Sequence, residues 1–357
     1  MQAQRFLIKE GVDKRINTVL EHGKFILGPE VNELESELID FTGTDYCITC
    51  ANGTDALQLA LMALGVGQGD EIITSAFSFI ATSEAIAILG AKPVYVDIDP
   101  VTFNIDPIKV EAAISSKTRA IMAVSLFGQC ADFDLINEIA AKHNLAVIED
   151  AAQSFGALYN GKRSCNLTTV SCTSFFPSKP LGCYGDGGAV FTNDESLAKV
   201  IRQIARHGQE ARYNHVRIGL NSRLDTLQAA ILLEKLKIFN DELEARDKVA
   251  RYYNENLSGR IDENDYVLPK VRENSTSAWA QYTLRVKERE KLQKRLKQQG
   301  VPSVIHYPKS LNNQPAVKDI NVSVPKSEKT ANEVLSIPMH PYMDNDIQDY
   351  IISAILD

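Results

Sequence analysis

Between about residue 45 and residue 192, short apolar runs alternate with longer segments of helical period, and that alternation leaves the chain few architectures. "DEIITSA", "KPVYVDID", "RAIMAVSLF", "LAVIED", "TVSCTSFF" and "GAVFTND" are of strand length and rich in Val, Ile, Phe and Thr. "DALQLALMALG" and "FDLINEIAAKH" place apolar residues at i, i+3, i+4 and i+7, the spacing of a one-sided helix. The pattern predicts an α/β fold with a mostly parallel sheet covered on both faces. Ligands of such sheets bind beyond the carboxyl ends of the strands. Asp150, which closes "LAVIED", and the loop that carries Lys179 are therefore expected at one rim.

A chain of 357 residues is too long for one small core, and we read a large domain over 1–245 and a smaller one over 246–357. The stretch from Leu224 to Leu257 has no Pro or Gly and reads as a long helix, with room for an interruption, that bridges the two. Beyond it, "AWAQYTLRV" reads as a strand and "REKLQKRLKQQG" as a helix stopped by Gly300, so the C-terminal domain is expected to be α+β. "GVGQGD", from Gly65 to Asp70, resembles a phosphate loop but precedes a strand and lacks a following lysine. It reads as a helix stop and turn, and no nicotinamide-binding fingerprint is present.

A net charge of -8 argues against a nucleic-acid partner, so an anionic ligand would need a local basic pocket. No apolar run is long enough to span a bilayer, and "MQAQRFLIKEGVDKR" lacks the apolar core of a signal peptide. A cytoplasmic protein without membrane contact is expected, its six cysteines free thiols. Cys47 and Cys50 form a CxxC without a second ligand pair, and no metal site is expected.

In "SFFPSKPLGCYGDGGAV", residues 174–190, one lysine stands between two prolines and ahead of four glycines that flank an aspartate. A loop lysine is ordinarily a solvated charge, but Lys179 has a carboxylate, Asp150, at a neighbouring strand end. A lysine amine condenses with an aldehyde and a carboxylate holds a protonated pyridine nitrogen, the two protein groups that pyridoxal phosphate (PLP) chemistry requires. "ANGTDALQLA" puts Gly53 and Thr54 at a helix start suited to a phosphate, although Thr54 could equally be an N-cap. Ser174 offers a second hydroxyl, and Gln153 a donor for the phenolic oxygen of the ring. Phe79 could stack on that ring or belong to the core. Gly185, Gly187 and Gly188 suit either a close backbone approach or a tight turn.

"VIEDAAQSFGA" followed by "TSFFPSKPLGCYGDGGAV", with "ANGTDAL" upstream and "GLNSRLDTLQAAIL" downstream, closely resembles the sugar-nucleotide aminotransferases of the DegT/StrS family. The resemblance runs from "FILGPEVNELE" to "SIPMHPYM", nearly the whole chain. It implies the aspartate aminotransferase-like fold, fold type I, with PLP as cofactor. It implies that Lys179 is the Schiff-base lysine, Asp150 the partner of the pyridine nitrogen and Gln153 the neighbour of the ring oxygen. Gly53, Thr54 and Ser174 would hold the phosphate, and Asn221 would reach the phosphate of a second subunit, which makes a homodimer with shared sites. A lysine in place of the histidine of some relatives implies amino transfer instead of dehydration.

Two departures stand out. Asp186-Gly187-Gly188 replaces a common Glu-Gly-Gly, and Ser125 replaces a frequent histidine, a change expected to alter substrate contacts. The wording of "SCNLTTVSCTSFFPSKPLGCYGDGGA" and "RQIARHGQ" resembles the subgroup that aminates C3 of a UDP-linked 2-acetamido-2-deoxy-3-oxo-glucuronate, with glutamate as donor, for surface polysaccharide such as O-antigen. Arg223 is the candidate for the uronate carboxylate, or a member of a structural ion pair. His306 and Tyr307 are candidates for sugar or diphosphate contacts, although His306 could be a structural histidine. Two alternatives stay open: amination at C3 or C4 of another nucleotide-linked keto-hexose, and a PLP-binding regulatory protein without turnover.

Overall fold

Seven strands, all but the edge strand β3 buried on most of their length, form the central sheet: β1 Tyr46–Cys50, β2 Glu71–Ser75, β3 Lys92–Val96, β4 Thr118–Val124, β5 Ala146–Asp150, β6 Val170–Ser174 and β7 Gly188–Thr192. The computed structural model, which describes residues 2–357, orders them β1-β7-β6-β5-β4-β2-β3. β3, β2, β4, β5 and β6 run parallel, and β7 runs antiparallel to both of its neighbours. The six runs read from the sequence are six of these strands, so the expected mostly parallel sheet is present.

The reversal of β7 has a local cause. A parallel connection needs a crossover of a dozen or more residues, usually a helix, whereas Phe175 to Gly187 holds Pro177 and Pro180 and forms no helix. The chain therefore returns beside β6, and the Lys179 loop becomes the turn between the two strands. As a result Ser174 ends β6 directly opposite Gly188, which begins β7, and Gly188 lies opposite Cys50, which ends β1. Asp150 ends the adjacent β5. One rim thus collects four strand ends.

Helices cover both faces. Gly53–Ala63 puts Ala56, Leu57, Ala60 and Leu61 into the core beneath the sheet. Phe133–His143 does so on the other face with Phe133, Ile136 and Ala140, starts under an Asp132 cap and stops at Asn144 in the left-handed region, φ 53°. Gly65 and Gly69, φ 73° and 92°, turn the chain between Gly53–Ala63 and β2, which accounts for "GVGQGD". Two helices, Gln2–His22 and Pro29–Thr42, precede β1 and were not legible in the sequence. The Pro-free stretch after Leu224 is two helices, Thr226–Lys237 and Phe239–Leu257, broken at Ile238.

A second apolar cluster forms around Tyr253, Tyr282, Leu284, Leu296, Leu335 and Ile352, on an antiparallel sheet of β8 Tyr266–Val267, β9 Tyr282–Val286 and β10 Val334–Ile337. From it the segment 301–318 returns to the central sheet. Val304 bridges Ser336 of β10, while the Leu311 amide donates to the carbonyl of Ala76 just past β2, at 2.7 Å. His306 and Tyr307 are carried between those anchors.

The return path is fixed by Asp97, just beyond β3. Its carboxylate accepts from the Lys326 amide (2.9 Å), the Ser327 amide (2.7 Å) and the Ser327 hydroxyl (2.6 Å), which caps the helix Pro325–Glu333 from another part of the chain. Asp97→Ala leaves these largely buried donors unpaired, a loss of about 2–4 kcal/mol. A lower thermal unfolding midpoint of the apoprotein is expected, with Asp97→Asn in between; an unchanged midpoint would contradict this role.

Candidate functional site

Three backbone segments meet at the rim only because two positions lack a side chain. A Cβ on Gly188 would stand 2.5 Å from the Asn52 carbonyl oxygen, and one on Gly53 would stand 2.6 Å from Ser174 Cβ. Neither Gly185, Gly187 nor Gly188 has a positive φ, so at Gly188 close approach, and not a turn, is the reason for glycine. The Asn52 side chain caps the helix by accepting from the Asp55 amide at 2.8 Å. Thr54 is therefore not the cap, and its hydroxyl has no other task among the described residues. Ser174 Oγ accepts from the Phe176 amide at 3.2 Å, which leaves its own proton to donate. Two free hydroxyls thus flank the N-terminus of an eleven-residue helix, a favourable cradle for a phosphate.

Asp150 is 6% exposed, and its carboxylate accepts from the Thr82 hydroxyl (3.1 Å) and the Ala152 amide (3.2 Å). Burial raises its pKa above the ordinary value, and the amide, Lys179 and Thr82 oppose that rise. Lys179 shows the converse: burial lowers its pKa and the Asp150 charge pulls it back. An amine so held is more often neutral, and a neutral amine is the nucleophile. A protonated ring nitrogen against Asp150 would offset the penalty on its charge, and the glycine-lined cradle would take a phosphate. The residues present fit PLP.

The other predicted residues frame these two. Gln153 accepts from the Phe127 amide at 2.8 Å and donates to Tyr307 Oη at 3.1 Å, which keeps one amide proton for a ligand. Burial and Asp150 push the Tyr307 hydroxyl up to about 12, against the Gln153 bond. His306 shares a hydrogen bond with Ser336 through Nδ1 at 3.0 Å, and burial and the Lys179 charge pull its pKa down. Its structural role is real, and its nearness to Lys179 is real too. Phe79 is 51% exposed with its ring centroid 5.8 Å from that of Tyr307, so it is not a core residue.

Asn221 and Arg223 are placed differently. Ser222, between them, accepts from the Ala51 amide at 3.2 Å; Asn221 is exposed, and Arg223 lies half-buried close enough to repel Arg206. Among the described residues Arg223 makes no ion pair. Ser125 is fully buried and donates to Glu149 at 2.9 Å, so its hydroxyl is occupied inside the fold. Thr82 was missed, since nothing in the sequence ties a threonine to a carboxylate 68 positions later. All six cysteines are buried, and no group of His, Cys, Asp and Glu able to hold a metal occurs among the described residues.

Residues 7–356 match the model of the DegT/DnrJ/EryC1/StrS aminotransferase family. The chain is 59% identical over 355 residues, 99% of its length and 98% of the relative's, to the UDP-2-acetamido-2-deoxy-3-oxo-D-glucuronate aminotransferase of Pseudomonas aeruginosa. It is 44% identical, over 98% of its length and 95% of the relative's, to the pleiotropic regulatory protein of Geobacillus stearothermophilus. The crystal structure of ntda from Bacillus subtilis with bound cofactor PMP superimposes with a TM-score of 0.92 at 33% identity, covering 98% of this chain and 81% of that one. The fold is therefore fold type I, and the chain is PLP-dependent.

The raised pKa of Asp150 gives a test without cofactor. Above that raised pKa the buried charge weighs fully on the native state, and as pH falls through it toward 3.8 the carboxyl protonates and the burden disappears. Asp150→Asn should raise the melting temperature of the apoprotein at pH 8, with a margin that shrinks to nothing on acidification. A lower melting temperature at pH 8 would contradict this reading.

Proposed function

We propose a reaction for a chain that belongs to the DegT/DnrJ/EryC1/StrS aminotransferase family: amino transfer from glutamate to C3 of UDP-linked 2-acetamido-2-deoxy-3-oxo-glucuronate. What carries the reading is the buried Asp150 and the half-buried Lys179 at one rim, each with its pKa displaced, beside the close backbone approach of Gly53 and Gly188. The sugar is taken from the Pseudomonas aeruginosa relative. The complete set of Lys179, Asp150, Gln153 and Ser174 favours turnover over a regulatory role alone.

Bound PLP supplies an aldehyde that accepts and returns an amino group and a ring that withdraws electrons. Lys179 Nζ would hold the cofactor through its aldehyde and, as a free amine, would serve as the base that takes a proton from the substrate carbon bearing nitrogen and later returns one. Asp150, its carboxylate fixed by Thr82 and the Ala152 amide, would keep the pyridine nitrogen protonated. Thr54, Ser174 and the Gly53 backbone would hold the phosphate, Phe79 would pack on the ring, and Gln153 would donate to the ring oxygen. His306 and Tyr307 line the sugar side.

Asn221 and Arg223 complete the site of a second copy of the chain in this reading. Support comes from the exposure of Asn221 and from apolar surface on the elements around it. Phe6, Phe25, Ile26, Phe176, Tyr213 and Ile218 are all exposed, on the N-terminal helix, the bridge to Asp225, the lysine loop, and the 209–215 hairpin with the stretch that follows it. That surface is what a homodimer would bury. A cytoplasmic place in the supply of an amino-uronate for surface polysaccharide follows from the substrate.

The test uses holoenzyme, the UDP-linked 3-amino uronate and its uncharged 3-amino hexose analogue, followed through the visible band of the bound cofactor. The uronate should bleach the band and the hexose should not. Arg223→Leu should raise the KM for the uronate about 10- to 100-fold, the worth of a charge-assisted contact, with cofactor affinity unchanged. Equal response to both sugars, or equal loss of cofactor and uronate, would overturn the carboxylate assignment.

A further inference from the structure

Beneath the lysine loop lies a second lysine that the reaction does not use. Lys235, on the interior helix Thr226–Lys237, is 2% exposed, and its ammonium donates to the Gly182 carbonyl at 2.5 Å. Its Nζ also stands 4.5 Å from the centre of the Tyr184 ring. Both partners belong to the turn that carries Lys179.

The turn has an excess of acceptors. Pro177 and Pro180 contribute carbonyls without N–H groups, so the backbone cannot satisfy itself. It closes through Lys179 N–H to Phe176 O (2.8 Å) and Cys183 N–H to Phe175 O (2.7 Å). Gly182 is pressed against this knot, since a Cβ there would meet Phe176 O at 2.6 Å and Pro177 O at 2.8 Å. A buried carbonyl without a donor is costly. Lys235 supplies the donor from a helix that packs in the core.

We propose that Lys235 is a positioning residue, a buried ammonium that clamps the Gly182 carbonyl and so sets the place of Lys179 at the cofactor. The inference rests on the reading of Lys179 as the catalytic lysine. Burial draws the pKa of Lys235 down to about 8, against the pull of the Glu242 carboxylate, so the side chain is largely cationic at neutral pH. The link between the two lysines is the backbone of the turn, through the Gly182 carbonyl that Lys235 holds. Lys235 also faces a cavity of about 400 Å³, shared with Gln4, Lys179, Glu242, Arg246 and His340. A small amine could therefore reach its place.

Lys235→Met keeps the packing and removes the donor. A displaced nucleophile should lower kcat about tenfold or more while the KM for glutamate stays within about twofold. Backbone amides of 175–183 should exchange faster in holoenzyme and apoprotein alike, with exchange elsewhere unchanged. In Lys235→Ala, added propylamine should restore part of the lost kcat. Unchanged kcat, exchange that rises uniformly over the chain, or no response to propylamine would overturn the clamp. Turnover by Lys179→Ala would instead overturn the reading of Lys179, and the exchange pattern distinguishes the two failures.

Discussion

The site exists because three stretches of backbone approach more closely than any side chain would allow. Gly188 passes the carbonyl of Asn52 and Gly53 passes Ser174 at separations with no room for a Cβ. That contact brings the start of β7, the end of β6 and the first turn of the helix after β1 into one cradle. The reversed course of β7 makes the contact possible, and the prolines of the lysine loop exclude the helix that would have kept β7 parallel. A local feature of the sequence thereby decides the geometry of the whole rim.

Around that cradle the protein keeps charges where they are disfavoured. Asp150 and Lys179 are both shifted toward neutrality by burial, and each moderates the other. Lys235, underneath, is a third. Groups of this kind lower stability in the empty protein and are retained where chemistry needs them. The amine is more available as a nucleophile, and the carboxylate, which Lys179 moderates without forming an ion pair among the described residues, is ready for a closer cationic partner.

Much of this was legible in the chain. A strand-length run ending in Asp150 placed that residue and the Lys179 loop at one rim, and "ANGTDAL" marked a helix start, because alternation and capping are local properties. What was not legible depends on contacts between distant positions. Thr82 meets Asp150 and Lys235 meets Gly182 only after the sheet has assembled, and neither residue type is unusual where it stands. Ser125 stood out only as the replacement of a frequent family histidine, and its hydroxyl turns to the buried Glu149, a contact that the sequence does not announce. The two N-terminal helices had gone unread because the alternating pattern begins only after them.

The central claim is that Lys179, and no other lysine, takes the cofactor. Holoenzyme treated with borohydride, which fixes an amine–aldehyde link irreversibly, then digested and analysed by mass spectrometry, tests it directly. The mass of the reduced cofactor should appear on the peptide containing Lys179 alone. Its appearance on another peptide, such as that of Lys235, or on none, would contradict the account.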